Sequence, residues 1–269
     1  MSTKSNPMMY RVAAAIVVAI VAMMGPAVAL TAAPAVTFDP RAYEALAPAD
    51  STSTIAPGTR ITLANWTKYR KPIFLAFAIA AFNQLSGINA VLYYTPSIFK
   101  MAGAGVESAL GQSVIVGFTM LVFTVFAMVI IDHFGRRKLM IAGSIGYIAG
   151  LTGAAYAFYA KVEGPLLLVS LLVFIAAHGF GQGAVIWVFI SEIFPNRVRA
   201  RGQSLGSFTH WAMNAAISWT FPVIAAAAGW MAFAFYALCM VGQLVWVLTV
   251  MPETKGVSLE RIQESLGIE

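Results

Sequence analysis

Between residues 68 and 256 the chain carries six predominantly apolar stretches, and most of its charged residues in that region fall in the segments that separate them. A helix rises about 1.5 Å per residue and the hydrocarbon layer of a bilayer is about 30 Å thick, so roughly 20 apolar residues suffice to cross it. The spacing predicts membrane helices over 72–99, 108–131, 139–160, 165–191, 202–228 and 230–251. With 59% hydrophobic and 10% charged residues and a mean hydropathy of +0.78, the chain has more apolar surface than a water-soluble core would bury. The expected class is an all-α, multi-pass membrane protein in contact with lipid.

Alternating the six segments across a bilayer sorts the basic residues. Lys68, Arg70 and Lys71, then Arg136, Arg137 and Lys138, then Arg197, Arg199 and Arg201, and finally Lys255 and Arg261 share one side. The other side receives Lys100 and Lys161. Basic loops are retained in the cytoplasm, so both ends of the six-helix block are expected inside, at the inner membrane. A basic rim against anionic lipid accounts for the net charge of +6, and no nucleic-acid partner is needed. One cysteine, Cys239, lies in the last apolar segment and allows no disulfide framework.

Four regions are expected. Residues 1–36 pair Lys4 and Arg11 with an apolar run and small residues, as in a secretory signal or a signal anchor. Residues 37–67 are rich in Pro, Ala, Ser and Thr and read as a polar linker. A cleaved signal would leave this linker outside, whereas Lys68, Arg70 and Lys71 favour the inside. Residues 68–256 form the helical block, and 257–269 a cytoplasmic tail.

Polar residues inside apolar spans carry the functional signal, because an unpaired amide in hydrocarbon is costly. Asn83, Gln84 and Asn89 fall within one span, followed by Tyr93. On a straight helix Gln84 and Asn89 would point about 140° apart while Asn89 and Tyr93 share a face, so Gly87 and Pro96 are expected to loosen or bend the span. The run 179–187, Gly-Phe-Gly-Gln-Gly-Ala-Val-Ile-Trp, combines small residues with Trp187, whose flat face suits sugar C–H surfaces. It is not a nucleotide loop, since it follows no strand and lies in an apolar span. His210 and Asn214 stand one turn apart beside Trp211. Gly202 with Gly206, and Gly146 with Gly150, are small-residue pairs suited to close helix packing. These polar groups either line a common cavity or hydrogen-bond neighbouring helices.

At the charged side, the 132–138 segment Asp-His-Phe-Gly-Arg-Arg-Lys joins two spans, and Ser-Glu-Ile-Phe-Pro at 191–195 leads to Arg197, Arg199 and Arg201. Asp132, Arg136, Arg137, Glu192, Arg197, Arg199 and Glu253 form a candidate charge network that could latch one conformation.

In order and spacing these motifs, with Pro-Glu-Thr-Lys-Gly at 252–256, resemble the sugar porter branch of the major facilitator superfamily over about residues 68–264. The resemblance implies a bundle like the C-terminal six-helix half of such a transporter. By similarity Asn83, Gln84, Asn89 and Tyr93 stand where the family hydrogen-bonds sugar hydroxyls, with Trp187, His210, Trp211 and Asn214 around the same cavity. The pattern departs from the family at Asn83, in place of a glutamine, at Ala184, in place of a proline, at His210, in place of an amide, and at Met120, in place of an asparagine. The function implied is alternating-access transport of a hexose or pentose, with a partner N-terminal half or a second copy of the chain. A non-transporting membrane scaffold or gene remnant is the alternative. All eleven acids fall in termini, loops or helix ends, so no proton-carrying carboxylate is expected at membrane depth. No nucleophile-base set, paired carboxylates or metal-ligand spacing is present in the spans, so neither an enzyme, a cofactor nor a metal site is expected.

Overall fold

The computed structural model describes residues 66–162 and 164–268. Residues 1–36 and nearly all of the 37–67 segment lie outside the described residues, so the signal-like and linker expectations fall there. The described chain is helical, in the order α1 (Trp66–Leu85), α2 (Ile88–Met101), α3 (Val106–Phe134), α4 (Arg136–Tyr159), α5 (Leu166–Phe180), α6 (Gln182–Ile193), α7 (Arg199–Ala227), α8 (Gly229–Thr249) and α9 (Leu259–Leu266).

Taken as continuous stretches, α1 with α2, α3, α4, α5 with α6, and α8 are long and apolar enough to cross a membrane. The sixth expected span, α7, has the length at 29 residues but not the apolarity. Arg199, Arg201, Gln203, Ser204, Ser207, Thr209, His210 and Asn214 lie between its start and its middle, and three of these, Thr209, His210 and Asn214, are buried against the bundle. Its partners therefore explain its composition: α7 packs chiefly on α1, and also on α2, α6 and α8. By contrast α3 faces outward, with only 22% of its apolar window buried. The first helix begins at Trp66 rather than at residue 72, and Pro72 is accommodated within it.

Two of the expected spans are broken. The first stops at Leu85 and resumes at Ile88 after Gly87 takes a left-handed conformation with φ of 77°. Glycine alone adopts that conformation without a Cβ penalty. A Cβ there would also lie 2.9 Å from Cγ of Tyr236 on α8, inside van der Waals contact. The second break falls at Gly181, between α5 and α6. At this point α5 and α4 approach so closely that a Cβ on Gly143 would sit 3.1 Å from the Gly181 Cα. Gly146 faces Ala177, and Gly150 faces Ser170 and Phe174, which is the close packing expected of small residues.

Prolines inside the helices free carbonyls that lipid cannot satisfy, and side chains take over. Pro96 leaves Leu92 O without its helical donor; the Thr95 hydroxyl lies 3.2 Å from it but makes its shorter bond, at 2.6 Å, to Val91 O. Pro222 likewise frees Ser218 O, which accepts from Tyr94 OH at 3.3 Å. The Tyr94 bond ties α2 to α7.

The apolar interior divides into two clusters along the bundle. One gathers Ile73, Ile79, Met140, Phe189, Phe194 and Val247. The other gathers Phe99, Tyr147, Phe174, Phe221, Phe233 and Tyr236. The 257–269 segment, expected as a tail, is partly helical: α9 starts at Ser258, whose hydroxyl caps Arg261 N, and buries Ile262 and Leu266 in the first cluster, joined by Ile268. Replacing Gly87 by alanine is expected to lower stability by about 2 kcal/mol or more, from the backbone strain and the clash with Tyr236. A depressed thermal unfolding midpoint of the detergent-solubilised variant checks this.

Candidate functional site

The break at Ser86 and Gly87 is what brings Gln84 and Asn89 together. Continuous helix would hold them on different faces, whereas the left-handed turn rotates α2 so that Asn89 Nδ2 donates to Gln84 Oε1 at 3.1 Å. Ser86 stabilises the turn locally, donating its hydroxyl to Asn83 O at 2.6 Å and accepting from Ile88 N at 3.3 Å. Gln84 Nε2 donates to Asn83 Oδ1 at 2.9 Å and lies 3.2 Å from each ring nitrogen of His210 on α7. Gln84 is 0% exposed and His210 3%, so this polar layer is enclosed.

Around it stand the aromatic residues. The His210 ring lies between Trp187 of α6 and Trp211, with centroids 5.4 Å and 5.3 Å away. One turn on, Asn214 Nδ2 donates to Tyr93 OH at 3.3 Å, and Asn214 Oδ1 accepts from Ser218 Oγ at 2.9 Å. Tyr93 is 45% exposed and Trp211 44%, so these two reach the surface that the amides do not. The structure thus draws Asn83, Gln84, Asn89, Tyr93, Trp187, His210, Trp211 and Asn214 into one connected region on α1, α2, α6 and α7. Met120 packs with the second apolar cluster, and Ala184 is buried in the first.

Ser218 and Gln203 belong to the same region and carry no obvious motif. Ser218 bonds Asn214, and Gln203 Nε2 donates to Trp187 O at 3.0 Å, tying α7 to α6. A second polar group lies deeper. Gln182, in the first turn of α6, donates to Gln243 of α8, which donates to Ser144 Oγ of α4 at 2.8 Å. Nearby in sequence, Tyr147 OH and His178 Nδ1 are 2.5 Å apart. The signal available for both was the same as for the amides: a polar residue in the middle of an apolar span.

The expected charge network is present in part. Arg136 forms a fork on Glu192, with Nη2 to Oε1 at 2.7 Å and Nε to Oε2 at 3.1 Å, and Asp132 lies 3.2 Å from its Nη1. Glu253 caps α4: its carboxylate accepts from Arg136 N at 3.0 Å and Arg137 N at 3.1 Å, where the helix N-terminus favours an anion. A Cβ on Gly135, at φ of 88°, would lie 2.7 Å from Glu253 Oε2, so only glycine leaves room for the cap. Arg137 in turn donates to Val247 O at 3.1 Å and Leu248 O at 2.5 Å, among the last carbonyls of α8. Thr254 Oγ1 donates to Glu192 Oε2 at 2.6 Å, closing the ring. Arg197 is exposed and Arg199 keeps an enclosed Nε without a partner, so neither joins this ring among the described residues.

An end stapled by an arginine fork, a carboxylate-capped helix and a bundle broken twice beside buried amides make a specific architecture. The profile of the family described as Sugar (and other) transporter matches residues 49–266. The chain belongs to this sugar transporter family. Among curated members, the D-xylose-proton symporter of Escherichia coli K12 is 37% identical over 198 residues, which cover 71% of this chain and 40% of the symporter. The glucose facilitated diffusion protein of Zymomonas mobilis is 36% identical over 71% of this chain and 42% of that protein. The arabinose-proton symporter of Bacillus subtilis is 37% identical over 72% and 42%. Among solved structures, the major facilitator proton:xylose symporter XylE bound to 6-bromo-6-deoxy-D-glucose superposes with a TM-score of 0.66 at 36% identity, covering 72% of this chain and 42% of XylE. Its inward-open conformation, from Escherichia coli, gives 0.65. The chain therefore spans about two fifths of the length of the sugar transporters it matches, and its fold is an all-α membrane fold.

Arg136→Leu is expected to cost about 2–4 kcal/mol, because it strands the Glu192 carboxylate, and Glu192→Leu in the same chain should recover part of that loss. Unfolding midpoints of the two single variants and the double variant measure it.

Proposed function

We propose that this bundle supplies one wall of a monosaccharide carrier working by alternating access, with a hexose or pentose held beside Tyr93, Trp187, Trp211 and Asn214. The observation that carries the reading is the convergence of amide, hydroxyl and indole groups from α1, α2, α6 and α7 on one region of a bundle built for lipid. Such groups suit a sugar. Amides both donate and accept, matching hydroxyls, while indole faces take the C–H side of a pyranose. That relatives are named for xylose, glucose and arabinose supports the substrate class.

Alternating access requires two halves that rock about a shared site. The remaining wall would come from a second six-helix unit, whether a separate subunit, a second copy, or further residues of the same polypeptide. The breaks at Gly87 and Gly181 are placed to let α2 and α6 tilt against their partner segments. The Arg136, Glu192 and Glu253 ring would hold the ends of α4, α6 and α8 together at one end of this half. The gathering of basic residues at this end supports the reading that it faces the cytoplasm, with the C-terminus, at the inner membrane. The carboxylates of the described spans, Glu107, Asp132 and Glu192, lie toward helix ends, so this half would supply no proton-carrying carboxylate at membrane depth.

The chain reconstituted alone in liposomes is expected to show no saturable uptake of radiolabelled D-xylose or D-glucose, but to bind them weakly. Gln84→Ala should weaken that binding at least about tenfold, by freeing Asn83 and Asn89 from their fixed orientations. Robust saturable uptake by a proven monomer overturns the need for a second half, and equal binding by Gln84→Ala overturns the site.

A further inference from the structure

Glycines shape the contact between α6 and α7. A Cβ on Gly206 would lie 2.6 Å from Cδ1 of Ile190, and one on Gly202 would run into the ring of Phe194. The helices therefore approach as closely as small residues allow. Glycine contributes no ridge, so such a face sets the separation of two helices better than their register along one another. The pairings of Phe194 with Gly202, Ile190 with Gly206 and Trp187 with His210 show that α7 runs back along α6.

Between those two glycines stands Gln203, half-buried, whose Nε2 donates to the main-chain oxygen of Trp187 at 3.0 Å. The direction of this bond is unambiguous, because a carbonyl only accepts and, of the two ends of an amide, only the nitrogen donates. Helix carbonyls point toward the C-terminus, so Trp187 O faces the start of α7, within reach of Gln203. The residue that gives its carbonyl to Gln203 gives its ring to His210, with centroids 5.4 Å apart. Gln203 precedes His210 by about two turns, and its bond is to main chain, so it acts on the aromatic group through α6.

We propose that Gln203 is a positioning residue: by holding the main chain of α6 at Trp187 it sets the register of α6 against α7, and with it the place of the indole beside His210. This rests on the reading of the region as a monosaccharide site and adds a residue, outside the groups that would meet the sugar, that controls where one of them stands. An indole face takes the C–H side of a sugar through dispersion contacts, and a gap of even about 0.5–1 Å forfeits a quarter to a half of each. The bond needs an N–H from residue 203. Neither a hydrocarbon side chain nor an ionised carboxylate can supply one.

The test uses the purified full chain in lipid nanodiscs, labelled with 5-fluorotryptophan. The chain has six tryptophans, and the 19F resonance of Trp187 is the one lost in Trp187→Phe. Two variants remove the donor: Gln203→Met keeps the length, and Gln203→Glu at about pH 8 keeps the shape with an ionised carboxylate. Each should shift and broaden the Trp187 resonance while those of Trp219 and Trp230 stay in place. Each should also weaken equilibrium binding of D-xylose and D-glucose at least about fivefold. Ser204→Ala, at an exposed position of α7, should leave the Trp187 resonance and the binding unchanged. The proposal is overturned if either Gln203 variant leaves the Trp187 resonance in place or binds both sugars as the wild type does. It is equally overturned if Trp219 and Trp230 move as far as Trp187, which would mark a general loss of packing, or if Ser204→Ala reproduces the effect. Absence of any sugar binding by the wild-type chain overturns the carrier reading instead, and the resonances alone then decide whether Gln203 holds Trp187.

Discussion

Hydrocarbon offers no hydrogen bonds, so a polar group that this bundle carries below its surface is costly unless it is paired inside it; among the described residues Thr124 Oγ1, Gln182 Oε1, Arg199 Nε, Tyr236 OH and Trp246 Nε1 are enclosed without a partner. Much of the architecture follows from that requirement. Gln84, fully enclosed, is bonded at both ends of its amide, and the residues that bond it come from α1, α2 and α7. The carbonyl released by Pro222 is taken by the hydroxyl of Tyr94. Gln182, Gln243 and Ser144 link α6, α8 and α4 through side chains that would otherwise be stranded. Polar residues here act as cross-links between helices, and the same cross-links hold the candidate site in shape.

The two helix breaks gain their significance from this. A break in a membrane helix exposes backbone groups, so it persists only where the surrounding protein accepts the cost. At Gly87 the compensation comes from Ser86, whose hydroxyl bonds both sides of the turn, and from the close seat against Tyr236. At Gly181 it comes from contact with Gly143 so close that neither position has room for a side chain without displacement. Both breaks lie within two turns of a candidate ligand group, Asn89 in one case and Trp187 in the other.

At the charged end a different economy holds. Arg136, Arg137, Glu192 and Glu253 join the first turn of α4 to the ends of α6 and α8 through charge-assisted bonds and helix caps. Solvent-exposed pairs contribute little to stability, but Arg136 is nearly buried and forked, so its loss would leave Glu192 uncompensated. The arrangement is rigid as long as all members stay in place, which is the property expected of a latch.

The all-α membrane fold and the polar positions within the helices were legible from residue order, because hydropathy is a local property that lipid selects directly. Asn83, Gln84, Asn89 and Tyr93 announced themselves as amides and a phenol in an apolar run, and Trp187, His210, Trp211 and Asn214 by spacing and resemblance. Tertiary structure decided what residue order could not. The Gly181 break was invisible because a glycine in a small-residue run reads equally as close packing. The polarity of α7 became intelligible only with α1 seated against it. That α9 folds onto the bundle depended on an apolar surface assembled from distant segments. Arg197 and Arg199, near in sequence to the charged ring, remain outside it among the described residues. Sequence determined which groups had to be satisfied, and packing alone chose their partners, since a hydrogen bond across helices depends on where two backbones meet.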